Sequence, residues 1–365
     1  MPARALRVMA VANDGFSVGH VARTIAIARA LARRAGGRGI ELRGLLVTTS
    51  EAHALLANEA VAIVRLPAPN SARRAGWLDD ERRRLARAVV DATVDGFGPD
   101  LIVADTFPSG PHGELRAVGR RAKRALIRRS VVDDRHDALT AGLADYDLAI
   151  VADDPDRIEP RLAIPTIHVP PITIGEPRDA LDRANARAAL GLPPGVRAIL
   201  VAAGGGGDAE AAARAWTIAE LVVAIDPDVA CVIALGPLAD HGQPTRPRSR
   251  VLIARAVPIQ PLLAAFDGAF SPAGYNTAHE LAKARVPAAL FAQPRPFDDQ
   301  AGRAARFARA GFATTLDRFD ADSVATALAW MTSARCPELA TGGADRAADA
   351  LLDLAAGLVA DRRAD

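Results

Sequence analysis

The chain has 365 residues, half of them hydrophobic and 24% charged, with a formal net charge of only +2. A length of this kind holds about two domains, the ordinary charged fraction excludes a disordered chain, and so mild a charge argues against nucleic acid as a partner. Its two cysteines, Cys231 and Cys336, lie far apart and in no CxxC pattern, which argues against a disulfide framework or a zinc site and fits a reducing cytoplasm. The N-terminal apolar run is too short for a signal peptide. No apolar stretch reaches the roughly 18 residues that span a bilayer, so the expectation is a soluble, cytoplasmic protein. Nearly all the positive charge is arginine, the only lysines being Lys123 and Lys283.

Leu6–Ala12 reads as a buried strand. The helix after it, Gly19–Ala35, has Val21, Ile25, Ala28 and Leu31 at helical spacing. Strands follow at Glu41–Thr48 and Ala62–Leu66, then an arginine-rich amphipathic helix at Asp80–Gly96. Leu101–Asp105 is a strand that ends on a carboxylate before a Pro/Gly loop, and Leu126–Ser130 and Leu148–Ala152 are further strands. The proline-rich stretch Pro170–Pro177 reads as an interdomain linker.

Beyond it the pattern restarts. Ala198–Ala203 is a strand, then come four glycines and the helix Ala209–Ile225. Ala230–Leu235, Val251–Ala254, Gly268–Ser271 and Ala288–Phe291 read as strands, Thr277–Ala284 as a helix, and Ala347–Ala360 as a late amphipathic helix. Strand–helix alternation with continuous apolar strands demands parallel sheets covered on both faces. The expectation is α/β, with two Rossmann-like doubly wound domains: residues 1–170, residues 178–345, and a C-terminal helix, 346–365, that packs back on the first domain.

Open parallel sheets bind ligands at the carboxyl ends of their strands. Four loops at such places carry unusual residues. The first is Asp14-Gly15-Phe16-Ser17-Val18-Gly19-His20, where Gly15 and Gly19 allow a tight turn. It is not the GxGxxG dinucleotide fingerprint. His20 falls in the first turn of a helix, where the dipole lowers an imidazole pKa and favours a neutral base; an ordinary surface histidine is the competing reading. The second loop is Gly204, Gly205, Gly206 and Gly207, whose backbone N–H groups suit phosphate or sugar oxygens, or which is simply a flexible turn. The third, Ser271–Leu281, is a glycine turn opening a helix, an anion site by construction; Thr277 and Glu280 also fit a capping box, so two readings of Glu280 compete. The fourth holds Asp298, Asp299 and Gln300, which suit sugar hydroxyls or a helix start. Acidic D-x-D triplets end no convincing strand, so no metal site is read. Arg73, Arg74, Trp77 and Arg82–Arg84 form a basic segment that is either a solvated helix face or a peripheral membrane contact.

Three segments carry a resemblance. VANDGFSVGHVARTIAIARAL, from Val11, is similar to the first strand–loop–helix of the family 28 type of GT-B glycosyltransferases, above all a bacterial group with a G-x-G-H-x-x-R start, although Ser17 replaces its first glycine. DTFPSGPHGEL, from Asp105, resembles that group's second N-terminal loop. The segment from Ala273 to Ala313 resembles its donor-binding segment and, more distantly, that of the N-acetylglucosaminyltransferase of peptidoglycan precursor synthesis.

The resemblance implies two domains facing a cleft, and metal-independent, inverting transfer of a sugar from a nucleotide-sugar such as a UDP-sugar, with no other cofactor. The acceptor, a small molecule, glycan or lipid-linked group, is not identified. Glu280 would hold the ribose hydroxyls, and Gly274, Asn276 and Thr277 would lie at the diphosphate with Tyr275 beside them. Asp299 and Gln300 would face the sugar, Gly204–Gly207 the phosphates and Val257 the base. His20 would be the base or a transition-state contact, with Asp105 the next candidate, and Gly15, Ser17 and Gly19 would shape the first loop. A nucleotide-sugar hydrolase, an epimerase or a catalytically silent nucleotide-sugar-binding protein stay open as alternatives.

Overall fold

The computed structural model describes residues 5–13, 18–57, 59–116, 118, 122–129, 137–154, 162–206, 209–239, 251–255, 258–295 and 298–361. Two compact units divide the chain. Unit 1 gathers Met1–Glu51, Leu56–Ile172 and Gly342–Asp365, and unit 2 gathers Ala52–Leu55 and Thr173–Thr341. The division at Ile172 falls inside the proline-rich linker.

Unit 1 is built on β1 (Leu6–Val11), β2 (Leu42–Thr48), β3 (Ala62–Arg65), β4 (Leu101–Asp105), β5 (Lys123–Arg129), β6 (Leu148–Ala152) and β7 (Thr166–Val169). Every pairing is parallel, in the order β3-β2-β1-β4-β5-β6-β7. The sheet grows one way from β1 to β3 and then the other way from β4. The crevice between the ends of β1 and β4 is therefore a topological switch point. Helix α1 (Gly19–Gly37) follows β1, and α2 (Asp79–Phe97) precedes β4. Alternate strand residues go to opposite faces; Met9, Val11, Ile102, Ala104 and Leu126 share one of them.

Unit 2 repeats the winding with β8 (Ala198–Ala202), β9 (Ala230–Ala234), β10 (Val251–Ala254), β11 (Gly268–Pro272), β12 (Ala288–Phe291) and β13 (Ala313–Thr315), ordered β10-β9-β8-β11-β12-β13 and all parallel. Its switch point lies between β8 and β11. Its helices of nine residues or more are α3 (Ala209–Ile225), α4 (Tyr275–Lys283), α5 (Gln300–Arg309) and α6 (Ala321–Ser333). Leu200, Val232 and Leu290 face Leu281 and Phe307 of α4 and α5, and Ile199, Val201 and Phe270 face Ile218, Val222 and Leu328 of α3 and α6.

The last helix, α7 (Gly343–Asp361), belongs to unit 1 and runs along α1. It buries Ala347, Ala348, Leu351 and Leu352, while Asp345, Asp349 and Asp353 on its outer side pair with Arg33, Arg34 and Arg38. Exposed pairs of this kind add little stability, so the apolar stripe is what docks the helix.

Three strands and the helix α4 stand apart from the sequence reading. The fifth strand starts at Lys123 rather than Leu126, because arginines can be buried in it: Arg124 donates to the Leu115 carbonyl at 3.1 Å and Arg128 to that of Leu139 at 3.2 Å. Strands β7 and β13 are short edge strands with little apolar signal. Helix α4 starts at Tyr275, with Gly274 as its N-cap and no side-chain cap, so the Thr277–Glu280 capping box does not form. Among the described residues no helix is long and apolar enough to cross a membrane; Trp77 and Leu78, at the start of α2, are exposed.

Candidate active site

In unit 1 the two strands that flank the switch point deliver His20 and Asp105 to one place. His20 lies in the first turn of α1, and Asp105 is the last residue of β4. The His20 Nδ1 is 2.7 Å from Asp105 Oδ1. Arg23, one turn along α1, donates from Nε to Asp105 Oδ2 at 2.8 Å and from Nη2 to Oδ1 at 2.5 Å. The Thr106 hydroxyl adds a third donor at 2.8 Å. Thr106 holds a φ of +66°, a conformation that costs a β-branched residue energy. That bend turns the chain away directly after Asp105.

The Asp105 and Arg23 side chains are each 1% exposed, and that of His20 is 17% exposed. Of the three, only the imidazole is within reach of a ligand. Burial works to raise the Asp105 carboxyl, but Arg23 and His20 hold it well below the usual carboxylate range. Burial lowers the His20 imidazole from its ordinary value; Asp105 opposes this, while Arg23 and Arg129 add to it. The product is a neutral imidazole that donates Nδ1–H to an ionised carboxylate and leaves Nε2 as an acceptor.

A second buried carboxylate holds Asn13, just past the end of β1. Glu114 takes the Asn13 amide on one oxygen and the His112 N–H on the other at 2.8 Å, while Asn13 accepts the Thr49 N–H at 3.1 Å. Asn13 is the residue at which the chain leaves β1 toward His20. Gly15 and Ser17 lie outside the described residues; Gly19 is the first residue of α1.

In unit 2 the glycine loop after β8 is a fixed turn. Gly204 and Gly206 have φ of +75° and +86°, and a Cβ on Gly206 would sit 2.4 Å from the Ala239 nitrogen. The Gly205 carbonyl accepts the Leu238 N–H at 3.0 Å. In a trans peptide N–H opposes C=O, so the Gly206 N–H points away from that neighbouring loop. Gly207 and Val257 lie outside the described residues.

At the end of β11, Gly274, Asn276 and Thr277 are half-buried at the start of α4. Tyr275 is buried, its ring 4.2 Å from that of His279. Glu280 is buried on the same helix, and burial pushes its carboxyl up to about 7 against the pull of Lys283 and the Ile174 N–H. Asp299 and Gln300 have structural partners: Asp299 caps α5 through the Gly302 N–H at 2.9 Å and pairs with Arg306, and Gln300 binds the Gln293 N–H and Asp298. Sequence reasoning passed over Arg23, Glu114 and Gln293. The GHxxR spacing was the available signal for Arg23, one helical turn from His20 on the same face.

No family model matches this sequence, and comparison with curated proteins gives no match. Solved structures do match. CalG4, the calicheamicin glycosyltransferase, is 17% identical with a TM-score of 0.63, covering 97% of this chain and 99% of that one. The spinosyn rhamnosyltransferase SpnG, complexed with thymidine diphosphate, is 18% identical with a TM-score of 0.57, covering 96% of each. A Listeria monocytogenes protein described as a UDP-N-acetylglucosamine 2-epimerase is 10% identical with a TM-score of 0.60, covering 94% of each. The chain has the GT-B fold of the glycosyltransferases among them.

Proposed function

We propose that this chain is a glycosyltransferase that moves a sugar from a nucleoside diphosphate-sugar, a UDP-sugar being the first to test, to an acceptor hydroxyl. The observation that carries the reading is the His20–Asp105–Arg23 constellation at the unit 1 switch point. Neutral His20 takes the acceptor proton on Nε2 as the acceptor oxygen bonds to the anomeric carbon; the bond from that carbon to the diphosphate breaks, and the diphosphate leaves with its electron pair. Asp105 orients the ring and stabilises the imidazolium as it forms. In unit 2 the Gly204–Gly206 turn and the first turn of α4 offer fixed N–H dipoles to the leaving group, with no need of a metal, and Glu280 binds the ribose hydroxyls in this reading. Attack from the face opposite the leaving group inverts the anomeric centre.

If the acceptor is lipid-linked, the exposed Trp77 and Leu78 beside Arg73 and Arg74 are the surface to meet a membrane. The 2-epimerase likeness keeps a second reading in play, since that enzyme type also acts on a nucleotide-sugar. Incubation with a panel of UDP- and TDP-sugars, with and without acceptor alcohols, separates the readings by mass spectrometry. Transfer needs acceptor and yields a glycoside. Nucleotide release without acceptor marks a hydrolase, and inversion at the sugar C2 marks an epimerase.

A further inference from the structure

We propose that Gln293 is a donor-binding residue whose side-chain amide donates a hydrogen bond to the diphosphate of the nucleotide-sugar; the proposal rests on the donor reading of unit 2. Gln293 stands just past the end of β12, beside β11, which leads into Gly274, and one strand further from β8, which leads into the glycine turn. Its amide lies against that turn: a Cβ on Gly204 would sit 3.8 Å from Gln293 Oε1.

The residue is only 6% exposed, yet its Nε2 has no hydrogen-bond partner among the described residues. Arg295 settles which end of the amide is which. Its Nη2 donates to Gln293 Oε1 at 3.3 Å, so turning the amide over would set two donors against each other. A buried N–H₂ group without a partner is costly, and in a native interior it calls for a water, an ion or a ligand to complete the bond. The surroundings are made for an anion. Helix α4 starts without a side-chain cap or an acidic residue in its first turn, and Arg295 stands next to the amide.

The test is calorimetric binding of UDP, TDP and GDP, with uridine as the phosphate-free control. Gln293→Met keeps the shape and the backbone bond to Gln300 but removes the donor. The expected result is about 10-fold or greater loss of nucleoside diphosphate affinity, the size of one hydrogen bond to a charged group, with uridine affinity within twofold of wild type. Gln293→Glu retains an acceptor for Arg295 but opposes the diphosphate with charge; it is expected to lose more and serves if the methionine variant does not fold. Wild-type binding with unchanged diphosphate affinity in a folded variant overturns the proposal alone, as does an equal loss of uridine and UDP. A wild-type protein that binds none of the three diphosphates overturns the donor reading and this proposal with it.

Discussion

His20 and Asp105, 85 positions apart in sequence, meet at 2.7 Å because β1 and β4 are neighbours in the sheet. The ends of β1 and β4 both open at the switch point, and α1 starts there with His20, so the sheet order brings the imidazole and the carboxylate together. Arg23 then locks the carboxylate from below on the same helix that carries the imidazole.

Removing the imidazole removes the proton acceptor without touching unit 2. His20→Ala is expected to lower turnover by roughly 10²–10⁴-fold, the usual range for general acid–base catalysis. UDP affinity, read by calorimetry, is expected to hold. Near-wild-type turnover would take His20 out of the mechanism.

Burial is the main cause that lowers the pH at which that base works, and Arg23 adds to it. This arginine carries positive charge beside the ring and competes for the same carboxylate, and both effects oppose protonation of His20. Activity in the wild type is therefore expected to fall on the acid side only below the ordinary histidine range of about 6.5. In Arg23→Met the imidazolium is favoured, with Asp105 still beside it and Arg129 the remaining nearby cation, so the acid limb of the pH–rate profile is expected to move to higher pH. An unmoved limb would mean that the limb does not report His20.

Much of the fold was legible because parallel strands buried on both faces leave unbroken apolar runs. The runs at Leu6, Leu101, Leu148, Ala198 and Ala288 give strand boundaries within a residue or so of those in the structure. Thr166–Val169 and Ala313–Thr315 were not legible, since a short edge strand needs no such run. Local pattern misplaced the start of α4: Thr and Glu at cap spacing mimic a box, but glycine at 274 lets the helix begin earlier. At the site, loop chemistry singled out His20 and the glycine turn. The pairing of His20 with Asp105 depends on sheet order, and Gln293 belongs to no motif, its significance resting on a missing partner that only coordinates reveal.

The glycine turn after β8 tolerates no side chain at its third described position. Gly206→Ala forces a φ of +86° on alanine and drives its Cβ to 2.4 Å from the Ala239 backbone. A loss of about 1–3 kcal/mol in urea unfolding is expected, the usual cost of enforced backbone strain, together with weaker UDP binding. Unchanged stability would show that the turn relaxes freely.

Glu280 gives the sharpest pH test, because its two candidate roles differ in sign. Burial holds its carboxyl at about 7 in the folded protein against 4.5 as the ordinary value. Between these values the unfolded chain has released the proton and the folded one has not, so this residue makes stability fall as pH rises from about 4.5 to about 7. Above 7 the loss is complete, and the shift corresponds to about 3 kcal/mol. Glu280→Gln keeps an oxygen for the Ile174 N–H but has no charge to bury. It is expected to be more stable than wild type at pH 8, with the difference vanishing near pH 4.5. Ribose binding works the other way: two hydroxyl donors favour the ionised carboxylate, so the affinity for a UDP-sugar, whose own phosphates do not titrate in this range, should rise from pH 6 to pH 8. In Glu280→Gln that affinity should be roughly 10-fold or more weaker, as for a lost charged hydrogen bond, and flat with pH. Thermal unfolding and calorimetry of both proteins at pH 5, 6, 7 and 8 read the two effects separately. A stability difference without any pH-dependence of donor affinity would leave Glu280 as a buried acid that braces Ile174 and would remove it from the donor site.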